Sequence, residues 1–298
     1  MGMTVFERGW LSSNNILFDG ASGTALVDSG YLTHAPQTLA LVRHALGDRQ
    51  LDRLINTHLH SDHCGGNAIL QAHYGCHTAI PVAEADKVRY WDEDALSFRA
   101  TGQQCDRFTF DAVLRPGDVI TLGDAPWQVL AAPGHDNHAL LLFHPTDATL
   151  IAGDALWENG FGVIFPELAG ESGFDEQAAT LDLIAQLAPR RVIPGHGAVF
   201  TDVSGALARA RSRLAYLSAD PKRNAENAVK VMLKFLLLAR QRIPVADIPA
   251  LFTAITVIHG ACVQLLGMPV ETLAAWATAA LERAGAARRA DGWLVNAD

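Results

Sequence analysis

Apolar and polar positions sort the first two thirds of the chain into short strands with occasional helices, and the last third into helices. Ile16-Leu17-Phe18 and Thr24-Ala25-Leu26-Val27 flank the turn-prone stretch Asp19-Gly20-Ala21-Ser22-Gly23, which predicts a hairpin. Asp28-Ser29-Gly30 ends the second strand. Leu39, Leu41, Val42 and Leu46 then recur at helical spacing. Leu54-Ile55 reads as the end of a buried strand, with Ser61 as the N-cap of a helix running through Ala68, Ile69, Leu70 and Ala72. Ala79-Ile80 reads as one more short strand. Residues 83–112 mix polar positions with Trp91, Phe98, Phe108 and Phe110, and predict a long, partly helical excursion that could cover a site.

Regular pattern returns at Val119-Ile120-Thr121-Leu122 and Trp127-Gln128-Val129-Leu130, then in strands at Leu140 to Phe143 and Thr149 to Ala152. A helix over Glu176 to Ala188, with Ala179, Leu183, Ile184 and Leu187 on one side, leads to the strand Arg191-Val192-Ile193. Strands followed by helix and strand, twice over, predict a two-halved α/β sandwich. Beyond Thr201 the pattern predicts helices over Ala206–Leu217, Ala225–Arg240, Val257–Leu266 and Glu271–Ala284. A short hairpin ends in Trp293-Leu294-Val295. The expected division is a catalytic domain over residues 1–200 and a helical domain over 201–298.

The chain has 298 residues, 49% hydrophobic and 18% charged, enough for a sizeable core. A formal net charge of −9 disfavours non-specific attraction to nucleic acid or to an anionic membrane. The charge is uneven: from Thr201 onward twelve Lys+Arg face eight Asp+Glu, a net +4, leaving −13 for the rest. Met1 to Asn15 shows no basic segment followed by an apolar run, and no apolar stretch reaches a spanning length. Cys64, Cys76, Cys105 and Cys262 have no paired spacing and read as free thiols of a reducing compartment. The expectation is a cytoplasmic protein with a small-molecule substrate, no membrane and a homodimer left open.

Candidate chemistry concentrates where strand meets helix. Thr57-His58-Leu59-His60-Ser61-Asp62-His63 offers three imidazoles and a carboxylate within six positions, with Gly65 and Gly66 beyond. In extended backbone His58 and His60 point to the same side, while Asp62 and His63 lie on the next turn and can serve a second point nearby. Neutral imidazole and carboxylate are ligands for zinc, iron or manganese. His135, Asp154 and His196 each follow an apolar strand and sit beside a glycine, so loops from separate strands can meet at one sheet edge. Cys64 adjoins the cluster but reads better as a small packed residue. His138, three after His135, reads equally as a supporting or substrate-touching group and as a structural histidine.

The runs His58-Leu59-His60-Ser61-Asp62-His63, Pro133-Gly134-His135, Gly153-Asp154 and Pro194-Gly195-His196-Gly197 together resemble the metallo-β-lactamase superfamily, in its glyoxalase II-like hydrolase branch. Asp28-Ser29-Gly30 matches the end of an early strand in that family. The resemblance covers roughly residues 14–200. It implies an αββα sandwich with the site at one edge of two sheets. It also implies two divalent ions, usually zinc, with iron or manganese as alternatives. His58, His60 and His135 would hold one, Asp62, His63 and His196 the second, and Asp154 would bridge them. Two such ions about 3.5–4 Å apart can share a hydroxide that attacks a carbonyl or phosphoryl centre. Asp62 would orient that hydroxide or relay its proton.

The aromatic run Trp157 to Phe165, with Phe161 within it, reads equally as an apolar wall over the metals, with Trp157, Phe161 and Phe165 meeting substrate, and as a loop packed on the core. Arg209, Arg211 and Arg213 read as a solvated helix face. Lys222-Arg223-Asn224 is placed to meet an anionic substrate tail at the metal edge. The helices and terminal hairpin look similar to the winged-helix appendage of some superfamily members. The reaction expected is hydrolysis of a small ester, thioester or lactone. The alternatives are a nuclease of the same fold and a mononuclear iron persulfide dioxygenase, which would need only His58, His135 and Asp154.

Overall fold

A computed structural model describes residues 2–297. Six strands form the first sheet in chain order: β1 (Gly2–Phe6), β2 (Asn15–Gly20), β3 (Gly23–Val27), β4 (Arg53–Ile55), β5 (His77–Pro81) and β6 (Ala112–Leu114). β1, β2 and β3 pair antiparallel, and β3 to β6 run parallel. The second sheet holds β7 (Val119–Leu122), β8 (Ala125–Ala131), β9 (Leu140–His144), β10 (Thr149–Gly153) and β11 (Arg191–Pro194), in the order β11-β10-β9-β8-β7. Only β10 and β11 pair parallel there.

Side-chain alternation explains the layering. In β2, Ile16 and Phe18 point to one face and Leu17 to the other, as the two-residue period of a strand demands. Ile16 and Phe18 meet Trp127, Val129, Leu142, Ile151 and Ile193 of the second sheet in the buried layer between the sheets. Leu17, Leu26 and Leu54 face outward onto the helices Ala35–Leu46 and Asn67–Tyr74, through Val42, Leu46 and Leu70. On the far side, Leu141, Leu150 and Val192 bury against the helices Phe174–Leu187 and Val203–Ser218. The four layers are helix, sheet, sheet, helix, as the sequence predicts. At about 25 cal/mol per Å² of apolar surface buried, this continuous inner layer is the main stabilising term.

The last third builds a separate apolar cluster. The helices Pro221–Arg240, Ile248–Ala254 and Val270–Arg283 pack around Leu233, Leu237, Phe252, Leu273 and Ala277. A small sheet of β12 (Arg242–Pro244), β13 (Ala287–Ala290) and β14 (Trp293–Asn296), ordered β12-β14-β13, closes it through Ile243 and Leu294.

Several expectations need correction. Ser61 is the first helical residue of Ser61–Cys64, and His60, in extended backbone at φ −63 and ψ 148, holds the cap position. The Ser61 hydroxyl instead donates to the Gln103 side chain. Residues 83–112 form a packed excursion: Leu96, Phe98 and Phe108 are buried with Leu59, Ile80 and Val88. It closes by adding β6 to the first sheet. The segment expected as one helix over Val257–Leu266 begins with a π-turn at Ile258–Cys262. The helix Ile248–Ala254 and the strands β1, β6 and β12 have no strong period in the sequence, because each is short and packed on one side only.

Candidate metal centre

β4 ends at Ile55, and residues 56–60 run on in extended backbone toward the edge shared by both sheets. Asp28, just past β3 with φ 58, anchors this run: its carboxylate accepts from the Thr57 amide at 2.9 Å and the Thr57 hydroxyl at 2.8 Å. The Leu140 amide donates to the Thr57 carbonyl at 2.9 Å, which ties the run to the second sheet. His58 and His60 therefore project on the same side, and His135 reaches them from the loop between β8 and β9. His60 Nδ1 lies 3.1 Å from His58 Nε2 and 2.8 Å from His135 Nε2. Asp62, His63, Asp154 and His196 form a second buried group, with ligand atoms within 4.8 Å of one another. Asp154 stands between the two groups, with Oδ2 3.4 Å from His135 Nε2 and Oδ1 3.3 Å from His63 Nε2.

For His58, His63 and His135, a hydrogen bond at the outer nitrogen settles which nitrogen faces inward. His135 Nδ1 lies 2.5 Å from the Val163 carbonyl, which only accepts, so Nδ1 carries the proton and Nε2 presents a lone pair. His63 Nδ1 lies 2.7 Å from the Asp28 carboxylate, so Nε2 is the nitrogen turned toward Asp154, 3.3 Å from its Oδ1. Thr57 spends its hydroxyl proton on Asp28, so its oxygen accepts from His58 Nδ1 at 3.1 Å, and His58 Nε2 is bare. His60 Nε2 faces Asp136 at 3.6 Å, which leaves Nδ1 bare inside. Converging lone pairs repel one another unless a cation sits among them. This donor set, three imidazoles in one group and two imidazoles with two carboxylates in the other, fits two divalent cations.

Electrostatics separates the two groups: His58 and His135 are kept neutral, whereas His63 is drawn toward the charged form by its carboxylates. Burial pushes His58 well below the ordinary imidazole value, helped by its histidine neighbours, and takes His135 down to about 4, with His60 adding to the effect. Burial also opposes charge on His63, yet Asp154 and Asp28 outweigh it and raise that group. The Asp154 carboxyl is held well below the usual carboxylate range, against its burial, by His196 and His63. Two glycines permit the close approach. A side chain on Gly162 would strike the His135 ring, and one on Gly195 would strike the Asp154 carboxylate.

The N-terminal segment crosses over the centre. The Ser13 amide donates to the Asp62 carbonyl at 2.9 Å and the Asn14 amide to the Gly195 carbonyl at 2.6 Å. The Asn14 side chain adds bonds to the carbonyls of Pro194 and Gly197. This strap joins the loop after β4 to the loop after β11. Just before it, the exposed Trp10 stacks on His196, with ring centroids 5.6 Å apart and planes 10° from parallel.

The centre opens into a cavity of about 380 Å³. His60, Asp62, His135, Asp154 and His196 lie on its floor, and Trp157, Phe161 and Phe165 line it, as the aromatic run suggested. The helix Pro221–Arg240 supplies a further wall through Met232, Phe235 and Leu238. His138 lies away from this cavity: its ring pairs with Glu84, with Lys87 3.4 Å away, so it supports no substrate contact there. Lys222 and Arg223 do not line the cavity either. Lys222 lies in the first turn of the helix Pro221–Arg240, whose inward face begins at Asn224, and Arg223 folds over Tyr216 at 4.2 Å. Arg213 leaves the solvated face expected of it and enters the cavity wall over Phe161. Cys64 is buried, its thiol toward the carbonyls of Leu59 and His60. Trp10 and the wall of Pro221–Arg240 were missed. An isolated exposed tryptophan and an amphipathic helix carry no local sign of the cavity they border.

The family model of the metallo-beta-lactamase superfamily matches residues 8–196. A hydroxyacylglutathione hydrolase of Methylococcus capsulatus is 32% identical over 148 residues, 49% of this chain and 48% of that protein. The chain thus spans about half the length of the curated relatives it matches. Two solved structures share the fold over nearly the whole chain. A metallo-beta-lactamase family protein from Thermus thermophilus has TM-score 0.59 and 21% identity, covering 100% of this chain and 98% of its own. A beta-lactamase domain protein from Burkholderia ambifaria has TM-score 0.59 and 20% identity, covering 99% and 91%. With the sandwich, the edge-sited ligand groups and the matched span in agreement, the chain belongs to the metallo-beta-lactamase superfamily.

Proposed function

We propose that this protein is a dinuclear metal-dependent hydrolase of a small ester, thioester or lactone, working in the cytoplasm with zinc as its metal. The observation that carries the reading is the pair of ligand groups whose bare nitrogens converge on either side of Asp154. His58, His60 and His135 would hold one cation, Asp62, His63 and His196 the other, and Asp154 both. Such a pair supplies Lewis acidity and brings the ionisation of water towards neutral pH.

The protein's own groups then set the chemistry. Asp62, 3.0 Å from His196 Nε2, is placed to take up the proton of the attacking water and pass it toward the leaving group. His63 is held in one orientation by Asp28, and His135 by the Val163 carbonyl, so the floor needs no rearrangement as charge develops. The apolar walls exclude bulk water from a carbonyl lying on the floor.

The similarity to hydroxyacylglutathione hydrolases favours a thioester among the three substrate types. The mostly apolar cavity disfavours the nuclease reading, since a phosphodiester backbone asks for a cationic groove. A mononuclear dioxygenase would leave Asp62, His63 and His196 buried without a role. The test is metal content by elemental analysis beside turnover of thioester, lactone, phosphodiester and RNA substrates. About two metals per chain with carbonyl-ester turnover is expected. One iron per chain with oxygen uptake would overturn the proposal.

A further inference from the structure

Two cations in the cavity wall contributed by the last third of the chain, Arg213 and Lys230, have no carboxylate partner among the described residues. Arg209 reaches Asp202 and the Glu158 carbonyl, and Arg211 pairs with Asp182 at 2.7 Å. Arg213, on the same helix, has no carboxylate partner among the described residues. Its Nη2 donates to Asn227 at 3.2 Å, its buried Nε has no partner, and its guanidinium sits 5.6 Å from the centre of the Phe161 ring. Lys230 lines the same cavity, and its ammonium lies over the face of Trp276, at 5.9 Å, with no carboxylate partner among the described residues. A partly buried cation left unpaired is costly, and a ligand anion removes that cost.

The rest of the cavity constrains the ligand further. Trp157, Phe161, Phe165, Met232 and Phe235 line the same cavity, surfaces for an apolar body. A volume of about 380 Å³ is at the low end for ligand sites, which favours a compact ligand. The family match ends at residue 196, before Arg213 and Lys230, so this wall belongs to a part of the chain outside the matched span.

Resting on the hydrolase reading, we propose that the substrate is a compact, apolar acyl ester or thioester with an acid anion at its far end. Arg213 and Lys230 hold that anion while the carbonyl lies on the His and Asp floor. The pair acts by positioning: it fixes which end of the molecule enters and how deep the carbonyl sits.

The test uses metal-stripped protein, where an acid cannot bind through metal. The probes are 4-phenylbutyrate and its neutral isostere 4-phenylbutyramide, followed by tryptophan fluorescence and calorimetry. The acid is expected to bind about tenfold tighter than the amide, the value of one charge-assisted hydrogen bond in a partly buried site. The double variant Arg213→Gln/Lys230→Gln should bind the two alike, and Arg213→Lys should keep part of the preference. Circular dichroism of each variant checks that it is folded. Equal binding of acid and amide by the wild-type protein, or an undiminished preference in a folded double variant, would overturn the proposal. Should the preference hold while the metal-loaded protein turns over no ester or thioester, the hydrolase reading falls and the anion site stands.

Discussion

The floor and the helical wall of the same cavity are built on opposite plans. The floor is polar and buried, made of short loops at strand ends, with His63 held from outside by Asp28 and His135 by the Val163 carbonyl. The wall is chiefly a face of one long helix, Pro221–Arg240, whose other face fills the apolar cluster of the last third, with Arg213 added from the helix Val203–Ser218. The floor offers donors in fixed directions, which suits cations. The wall offers shape, greasiness and two loose charges, which suits a choice among substrates. Reaction type and substrate preference thus reside in separable parts of the molecule.

Damage to the floor should abolish metal and activity together. Asp154→Ala is expected to lower metal content from about two per chain and to cut kcat/KM by more than about a hundredfold, beyond the effect of groups that only orient ligands. Elemental analysis and steady-state rates check it, and retained metal would break the division. Asp28→Asn, which spoils the partner of His63 without removing a ligand, should weaken metal affinity by about 10–100-fold in chelator competition.

The wall should respond in the other way. Phe252 is fully buried in the apolar cluster of the last third, and Phe252→Ala should cost about 3–5 kcal/mol in denaturant unfolding, with metal content unchanged. Loss of metal in that variant would show that the two parts do not separate.

The smallest effect concerns His138, which belongs to neither part. Its hydrogen bond to Glu84 raises it above the ordinary 6.5, with burial opposing, Asp136 adding to the rise and Lys87 subtracting. A folded-state value above the unfolded one means that its stabilisation is full below the unfolded value and fades as pH rises through the folded one. The fade falls in the window just above 6.5. His138→Ala should keep its metal and flatten the pH dependence of stability in that window. An unchanged slope would show that the pair with Glu84 contributes nothing.

The two regions also differed in how far the sequence disclosed them. His58, His60, Asp62 and His63 lie within six positions, and His135, Asp154 and His196 sit after apolar strands beside glycines, so strand and loop chemistry alone drew them together. The order of strands and helices disclosed the α/β sandwich, because short apolar runs bounded by turn residues announce themselves locally. Arg213 defeated that approach. Helical periodicity says which residues share a face and not which neighbour covers it, so Arg213 looked like its solvated companions Arg209 and Arg211. His138 is a similar case, since its partner Glu84 lies 54 positions away. Asp28 was visible as a strand end, but its left-handed backbone and its grip on Thr57 and His63 are tertiary facts.

The strap formed by Ser13 and Asn14 has a mechanical consequence. Asp62 and His196 are carried by loops of different sheets, and sheets packed through side chains alone can slide by fractions of an ångström. Backbone bonds from adjacent residues to the Asp62 and Gly195 carbonyls act as a rivet, fixing the gauge between those loops. Slackening it, for instance with Asn14→Gly, would widen the bite of the chelate and so shift which cation sits there most comfortably, with every ligand still in place.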